Sequence, residues 1–424
     1  MKQLIRVATT PIVARVSIPG SKSITNRALL LAALADGVSE LFGILLSDDT
    51  RAFMEALRQL GIAIRVNETD RSCIVAGGQG QFPKKRATIW CAEAGTVARF
   101  LLAACAASPG TFTLDGAARL RERPILPLLQ ALRAQGAQVQ PENAERMPLT
   151  ITCYDGLAGG DVDIDSSASS QFISALLMIA PFAKSPVTLN SEQVVRTPYV
   201  KMTCTMMAEF GVMVRRLHGA RYMVPVLQRY QACDYQVEPD LSTASYFFAA
   251  AAVTGGRVTM QPIDREHAKQ GDVKFLEVLE KMGCHVQSEA TGLSVQGPAV
   301  LQGVSVDLRH FSDTFMTLAA LAVFATTPTT ITNIGHTRLQ ESDRITVMRK
   351  NLEILGVKVE EGSDWIKVYP GSPVAGVIDS HRDHRIAMAF AIIGLRVPGI
   401  EIDGAECVAK TCPDFFAMWD ALTG

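Results

Sequence analysis

The chain has 424 residues, of which 48% are hydrophobic, 20% charged and 6% aromatic. Lys plus Arg number 41 and Asp plus Glu 42, a formal net charge of −1. This excludes a disordered, collagenous or disulfide-rich chain and argues against a nucleic-acid partner, which would call for a basic domain. The length corresponds to roughly two or three domains of ordinary size. No apolar run reaches the roughly 18 residues of a membrane helix. The start, MKQLIRVATTP, has no signal-peptide pattern. The nine cysteines are odd in number and form no CxxC pair. They read as buried free thiols in a reducing cytoplasm, with no metal site among them.

In chain order, six Ala-rich apolar segments recur about 70 residues apart. They begin at Asn26, Ala98, Ser170, Ala244, Asp313 and His384. Each predicts a helix that is apolar nearly all round and therefore buried. Most lead into a turn and a β-type run such as GTFTLDG, SPVTLNS or TPTTITNI. A second, amphipathic helix then ends in Gly, as in DTRAFMEALRQLGIAI and DRITVMRKNLEILGVKV. The repeat is helix, strand, helix, strands. Six such units predict an α/β (α+β) chain of two domains with three units each.

The starts of the buried helices are polar: GSKSITNR, EAGTVAR, SSASSQ, DLSTAS, FSDT and HRDHR. Ser, Thr and Asp suit N-caps, but Lys22, Arg27, Arg99 and Arg385 stand where the helix dipole disfavours cations. An anion between cation and helix resolves that conflict. Arg119, Arg121 and Arg123 in RLRERP, Arg344 in ESDRI and Lys410 in AKTCPD extend the cationic set. Two acids stand out, Asp313 opening a buried helix and Glu341 beginning an amphipathic one. Sharing a cleft with Lys22, they would suit proton transfer; an N-cap Asp and a capping Glu fit the spacing equally. Several motifs fail. GSKS lacks the glycines of a phosphate-binding loop, no GxGxxG or GxSxG is present, and HRDH has no third ligand cluster.

In this order, SIPGSKSITNRALLLAAL, LLSDDTR, RERPI, SSASSQFISALLMIAP, ESDR, DHRIAMAF and AKTCPDFF resemble the 5-enolpyruvylshikimate-3-phosphate (EPSP) synthase family of enolpyruvyl transferases. The resemblance spans essentially the whole chain. It implies two similar domains of three βαβαββ-type units, an inside-out α/β barrel arrangement. Residues 1–20 with 241–424 would form the lower domain and 21–240 the upper, with the site in the interdomain cleft. The substrates would be shikimate 3-phosphate and phosphoenolpyruvate, with no metal or cofactor, and glyphosate a possible inhibitor. A cytoplasmic monomer is expected.

The resemblance implies Lys22, Asp313 and Glu341 as catalytic groups: Asp313 as base on the 5-hydroxyl, the other two on the phosphoenolpyruvate side. Lys22, Ser23, Arg27, Ser169, Ser170, Gln171, Arg196, Tyr199, Asp313, His336 and Gln340 would bind shikimate 3-phosphate. Lys22, Gly95, Arg123, Gln171, Glu341, Arg344, Arg385 and Lys410 would bind phosphoenolpyruvate. Four positions depart from the family pattern: Glu93 for Asn, Arg196 for Ser, His336 for Asn and Gln340 for Lys. Arg196 is expected to compensate for the cation lost at Gln340, and Glu93 to weaken glyphosate more than substrate. Two alternatives remain. One is the sister transferase acting on UDP-N-acetylglucosamine, whose reactive Cys is replaced here by Ala117. The other is a silent anion-binding protein on the same scaffold.

Overall fold

The structure, a computed structural model, describes residues 1–191, 197–290 and 292–423. The chain divides into two compact units, Gly20–Glu238 and Met1–Pro19 joined with Pro239–Gly424. We call them the continuous and the split unit.

The helices of the continuous unit are α1 (Lys22–Leu34), α2 (Asp48–Gln59), α3 (Gly95–Ala107), α4 (Ala118–Glu122), α5 (Leu126–Ala134), α6 (Gln171–Ile179) and α7 (Thr197–Glu209). Those of the split unit are α8 (Leu241–Thr254), α9 (Phe275–Lys281), α10 (Phe315–Ala322), α11 (Arg344–Ile354), α12 (His384–Gly394) and α13 (Phe415–Asp420). The six Ala-rich segments are α1, α3, α6, α8, α10 and α12. Their sequences offer no polar face, so solvent is excluded on every side; in α8 every residue from Leu241 to Val253 is buried. Alanine lets the helices approach one another closely: α3 packs on α6, and α10 on α12.

Each buried helix belongs to its own sheet. Among the described residues, five sheets have four strands and one has three. In the second, Arg86–Trp90 runs parallel to Gly110–Asp115, and Leu149–Cys153 and Gln138–Gln140 follow antiparallel. α3 is thus the crossover between parallel strands, which is why the apolar helix comes between two β runs. The other four-stranded sheets repeat that order, one parallel pair followed by two antiparallel ones. In the sixth sheet, Lys2–Leu4 pairs antiparallel with Ile400–Asp403. Val13–Val16 joins Arg257–Met260 in parallel, so both N-terminal strands complete sheets of the split unit. Each unit has its own apolar core. All nine cysteines are free thiols; burial pushes those of Cys73 and Cys91 up to about 12.

Candidate active site

In the continuous unit, α1, α3 and α6 have no acidic residue in the first turn and no side-chain hydrogen bond at the N-cap. Their first N–H groups and dipole ends therefore favour an anion. Lys22 is the first residue of α1, and its Nζ lies 3.1 Å from Asp49 Oδ2 at the start of α2. Arg27, one turn further on, is 2% exposed. Its Nε donates to Thr203 Oγ1 at 2.8 Å, Nη1 to the Ser23 carbonyl at 2.9 Å and Nη2 to Ser174 Oγ at 3.3 Å. Nη2 also lies 3.5 Å from the Tyr199 carbonyl. The guanidinium stands over the Phe100 ring at 5.1 Å. Burial among neutral groups pulls the Arg27 pKa down to about 10.

The starts of α3 and α6 are tied together. Arg99 Nη1 donates to Gln171 Oε1 at 2.7 Å and to Ser169 Oγ at 3.3 Å, and Nη2 to the Pro124 carbonyl at 2.8 Å. Gln171 Nε2 reaches Thr96 Oγ1 at 3.3 Å. Ser170 is the buried N-cap residue of α6. Gly95 opens α3 directly under Arg123: a Cβ there would lie 2.7 Å from Nη1 and 2.8 Å from Cζ. Only glycine leaves that guanidinium in place. The sequence grouped Arg119, Arg121 and Arg123 together, and the structure separates them. Arg119 and Arg121 lie on α4 in exposed pairs with Glu122 and Asp115, whereas Arg123 follows the helix as its extended C-cap residue. Arg123 alone is buried. Arg196 lies outside the described residues.

The split unit assembles a denser cluster. Arg344, the first residue of α11, has a side chain only 2% exposed. Its Nε donates to Asp383 Oδ2 at 2.8 Å, Nη2 to Asp383 Oδ1 at 3.2 Å and to Glu341 Oε2 at 2.9 Å. Nη1 meets Gln340 Oε1 and lies 3.5 Å from Asp313 Oδ1. Asp313 Oδ2 accepts from Arg385 Nη2 at 2.9 Å, and Glu341 Oε1 lies 3.7 Å from Lys410 Nζ. Three cations and three carboxylates thus form one connected set. Burial opposes the charge on Arg344, but Asp383 and Glu341 outweigh it and hold its pKa above the usual value. His336 Nε2 lies 2.8 Å from Ser312 Oγ, next to Asp313.

Two helix starts differ from expectation. Asp313 sits in a 3-10 turn, Ser312–Thr314, before α10 begins. Glu341 precedes α11, whose N-cap is Asp343, accepting from the Thr346 amide. The capping reading of Asp313 and Glu341 therefore gives way: both carboxylates turn to arginines, where charge-assisted bonds are stronger than a cap. Sequence reasoning singled out Arg99 as a helix-start cation but passed over Asp49, Ser342 and Asp383 as site residues. Asp383 was visible only as part of HRDH. It caps α12 through the Arg385 amide at 3.0 Å, accepts from Ser342 Oγ at 2.9 Å and grips Arg344. Among the described residues, no group of three His, Cys, Asp or Glu side chains is placed to hold a metal ion, and no helix is long and apolar enough to cross a membrane.

Six sheet-and-helix units with buried acid–base and cationic groups at the helix starts are the architecture of an α/β enzyme. The family profile described as EPSP synthase (3-phosphoshikimate 1-carboxyvinyltransferase) matches residues 7–419. A 3-phosphoshikimate 1-carboxyvinyltransferase of Nostoc punctiforme is 46% identical over 411 residues, covering 96% of both chains. That of Shewanella oneidensis is 42% identical over 427 residues, covering 100% of both. A solved EPSP synthase from Acinetobacter baumannii has a TM-score of 0.83 at 26% identity, over 99% of this chain and 98% of that one. The chain belongs to the EPSP synthase family.

Proposed function

We propose that the protein transfers the enolpyruvyl group of phosphoenolpyruvate to the 5-hydroxyl of shikimate 3-phosphate and releases phosphate. The 5-oxygen adds to C2 of phosphoenolpyruvate, losing its proton, while C3 gains one. The tetrahedral intermediate then loses phosphate from C2 and a proton from C3. These steps need acid–base groups beside cations that stabilise the phosphate as it leaves. The observation that carries the reading is the buried set of Asp313, Glu341, Arg344, Arg385 and Lys410. Its two carboxylates are each hydrogen-bonded to an arginine, so an arriving anion that takes the arginines frees the carboxylates to accept protons. Asp313 serves the 5-hydroxyl; Glu341 and Lys22 serve C3 and the phosphate side as a coupled set. Ser23, Arg27, Ser169, Ser170, Gln171, Tyr199, His336 and Gln340 hold shikimate 3-phosphate. Gly95, Arg123, Arg344, Arg385 and Lys410 hold phosphoenolpyruvate.

Phosphate release tests the reading. It should require both substrates, persist with a chelator, and fail when UDP-N-acetylglucosamine replaces shikimate 3-phosphate. Binding of both substrates without release would overturn it in favour of the silent scaffold. The same proposal holds that glyphosate competes with phosphoenolpyruvate, weakened by Glu93 two residues before α3. Potency unchanged in Glu93→Asn would remove that part. Monomeric state is read by sedimentation, and a dimer at micromolar concentration would contradict it.

A further inference from the structure

In the continuous unit, Arg27 stands six residues after Ser21, the N-cap residue of α1. In the split unit, Tyr246 stands six residues after Asp240, the N-cap residue of α8. The two side chains therefore leave their helices at the same height and angle relative to the caps. Arg27 is held there by Thr203, Ser23, Ser174 and Tyr199. Tyr246 is different: its side chain is 0% exposed, yet its hydroxyl makes no hydrogen bond of good geometry. A buried polar group without a partner is costly. The fold does not need that oxygen for packing, since α3, with Ala94 at its N-cap, has Phe100 at the same position.

The surroundings show what the hydroxyl faces. Its ring is set edge-on to Phe415, with centroids 6.0 Å apart. The preceding residue, Ser245, shares a 2.9 Å hydrogen bond with Thr317 of α10, four residues beyond Asp313. α8 also packs on α12, which carries Arg385 in its first turn. Burial pushes the phenol up to about 12; Arg385 and Arg344 pull it down, and Asp383 adds to the rise. The hydroxyl thus lies among the charged groups of the split unit, with Arg385 the strongest of them. Arg385 Nη2 donates to Asp313 Oδ2 at 2.9 Å. In the proposed reaction, phosphoenolpyruvate takes that arginine and frees Asp313, so the guanidinium must then be held from another side.

We propose that Tyr246 is a positioning residue: its oxygen accepts a hydrogen bond from Arg385 when an arriving anion draws that guanidinium away from Asp313. A neutral phenol suits this task. It adds an acceptor for the arginine without adding a charge that would compete with the substrate. The inference rests on the reading of Arg385 as a phosphoenolpyruvate group, and it adds a residue that neither touches the substrate nor belongs to the helix starts.

Tyr246→Phe, which removes only the oxygen, tests it through phosphate release and thermal unfolding. The Michaelis constant for phosphoenolpyruvate should rise by about tenfold, the loss of one charge-assisted bond. That for shikimate 3-phosphate should stay unchanged. The melting temperature should not fall, because the hydroxyl holds no well-formed bond in the structure. A rise for phosphoenolpyruvate alone supports the proposal. An unchanged constant for phosphoenolpyruvate, or similar rises for both substrates, overturns it and leaves the proposed reaction standing. A wild type that releases no phosphate would be the failure of the reaction instead; the dissociation constant of phosphoenolpyruvate, read by calorimetry in both proteins, then carries the same comparison.

Discussion

Arg27 and Arg344 are equally buried, at 2% and 1% exposed, yet the two units hold them differently. In the continuous unit, Arg27 is held by hydroxyls, carbonyls and an aromatic face, and its pKa falls. In the split unit, Arg344 is held by Asp383, Glu341 and Asp313, and its pKa rises. The buried-helix starts differ in part the same way. α1, α3 and α6 have no acid in the first turn or side-chain bond at the cap, and neither has α10, whereas Asp240 and Asp383 cap α8 and α12. A buried cation among neutral groups gains most from an arriving anion. A cation already neutralised gains less, but keeps carboxylates in place for proton transfer. On the proposed reaction, the continuous unit is built to grip a charged substrate and the split unit to do chemistry on it.

The sharpest test compares Arg344→Met with Arg27→Met. Removing Arg344 leaves Asp383 buried without its main partner, which should cost about 3–5 kcal/mol of unfolding free energy. Arg27→Met strands no buried carboxylate, only hydroxyls and backbone carbonyls, and should cost about 1 kcal/mol. Urea unfolding of both variants reads the difference; equal losses would break the comparison.

A second test concerns placement by backbone. Gly95→Ala puts a Cβ 2.7 Å from Arg123 Nη1, so the guanidinium must move. The Michaelis constant for phosphoenolpyruvate should rise by about 10–30-fold, equivalent to roughly 1.4–2 kcal/mol. Stability should change little, because a flexible side-chain end yields rather than the backbone. An unchanged constant would show that Arg123 does not serve that substrate.

The smallest effect belongs to the surface of the continuous unit. Arg121 holds the Asp115 carboxyl below its usual range through a two-bond contact. A carboxylate with a lowered folded pKa contributes stability above its unfolded pKa, which is lost as pH falls through the folded one. The melting-temperature gap between wild type and Arg121→Ala should therefore be small at neutral pH and shrink below about pH 4. Turnover should be unaffected, and loss of activity would return Arg121 to the site.

Periodicity and composition determined much of the fold. Apolar residues on all sides leave a helix only a buried place, so the six core helices were legible from Asn26 to His384. The strand runs between them were legible too, because crossover helices join parallel strands. The helix-start cations could be named for the same local reason: a dipole end disfavours them. Tertiary structure alone decided which cations meet which acids. Asp383 reads as a helix cap in HRDH, and only its approach to Arg344, 39 residues away in the chain, makes it the anchor of the cluster. Arg121 and Arg123 are two residues apart, yet one pairs at the surface while the other lies buried against Gly95. Local sequence sets a helix and its ends because those depend on near neighbours. Charge pairing depends on distance through space and on burial, which distant segments supply only once the chain has folded.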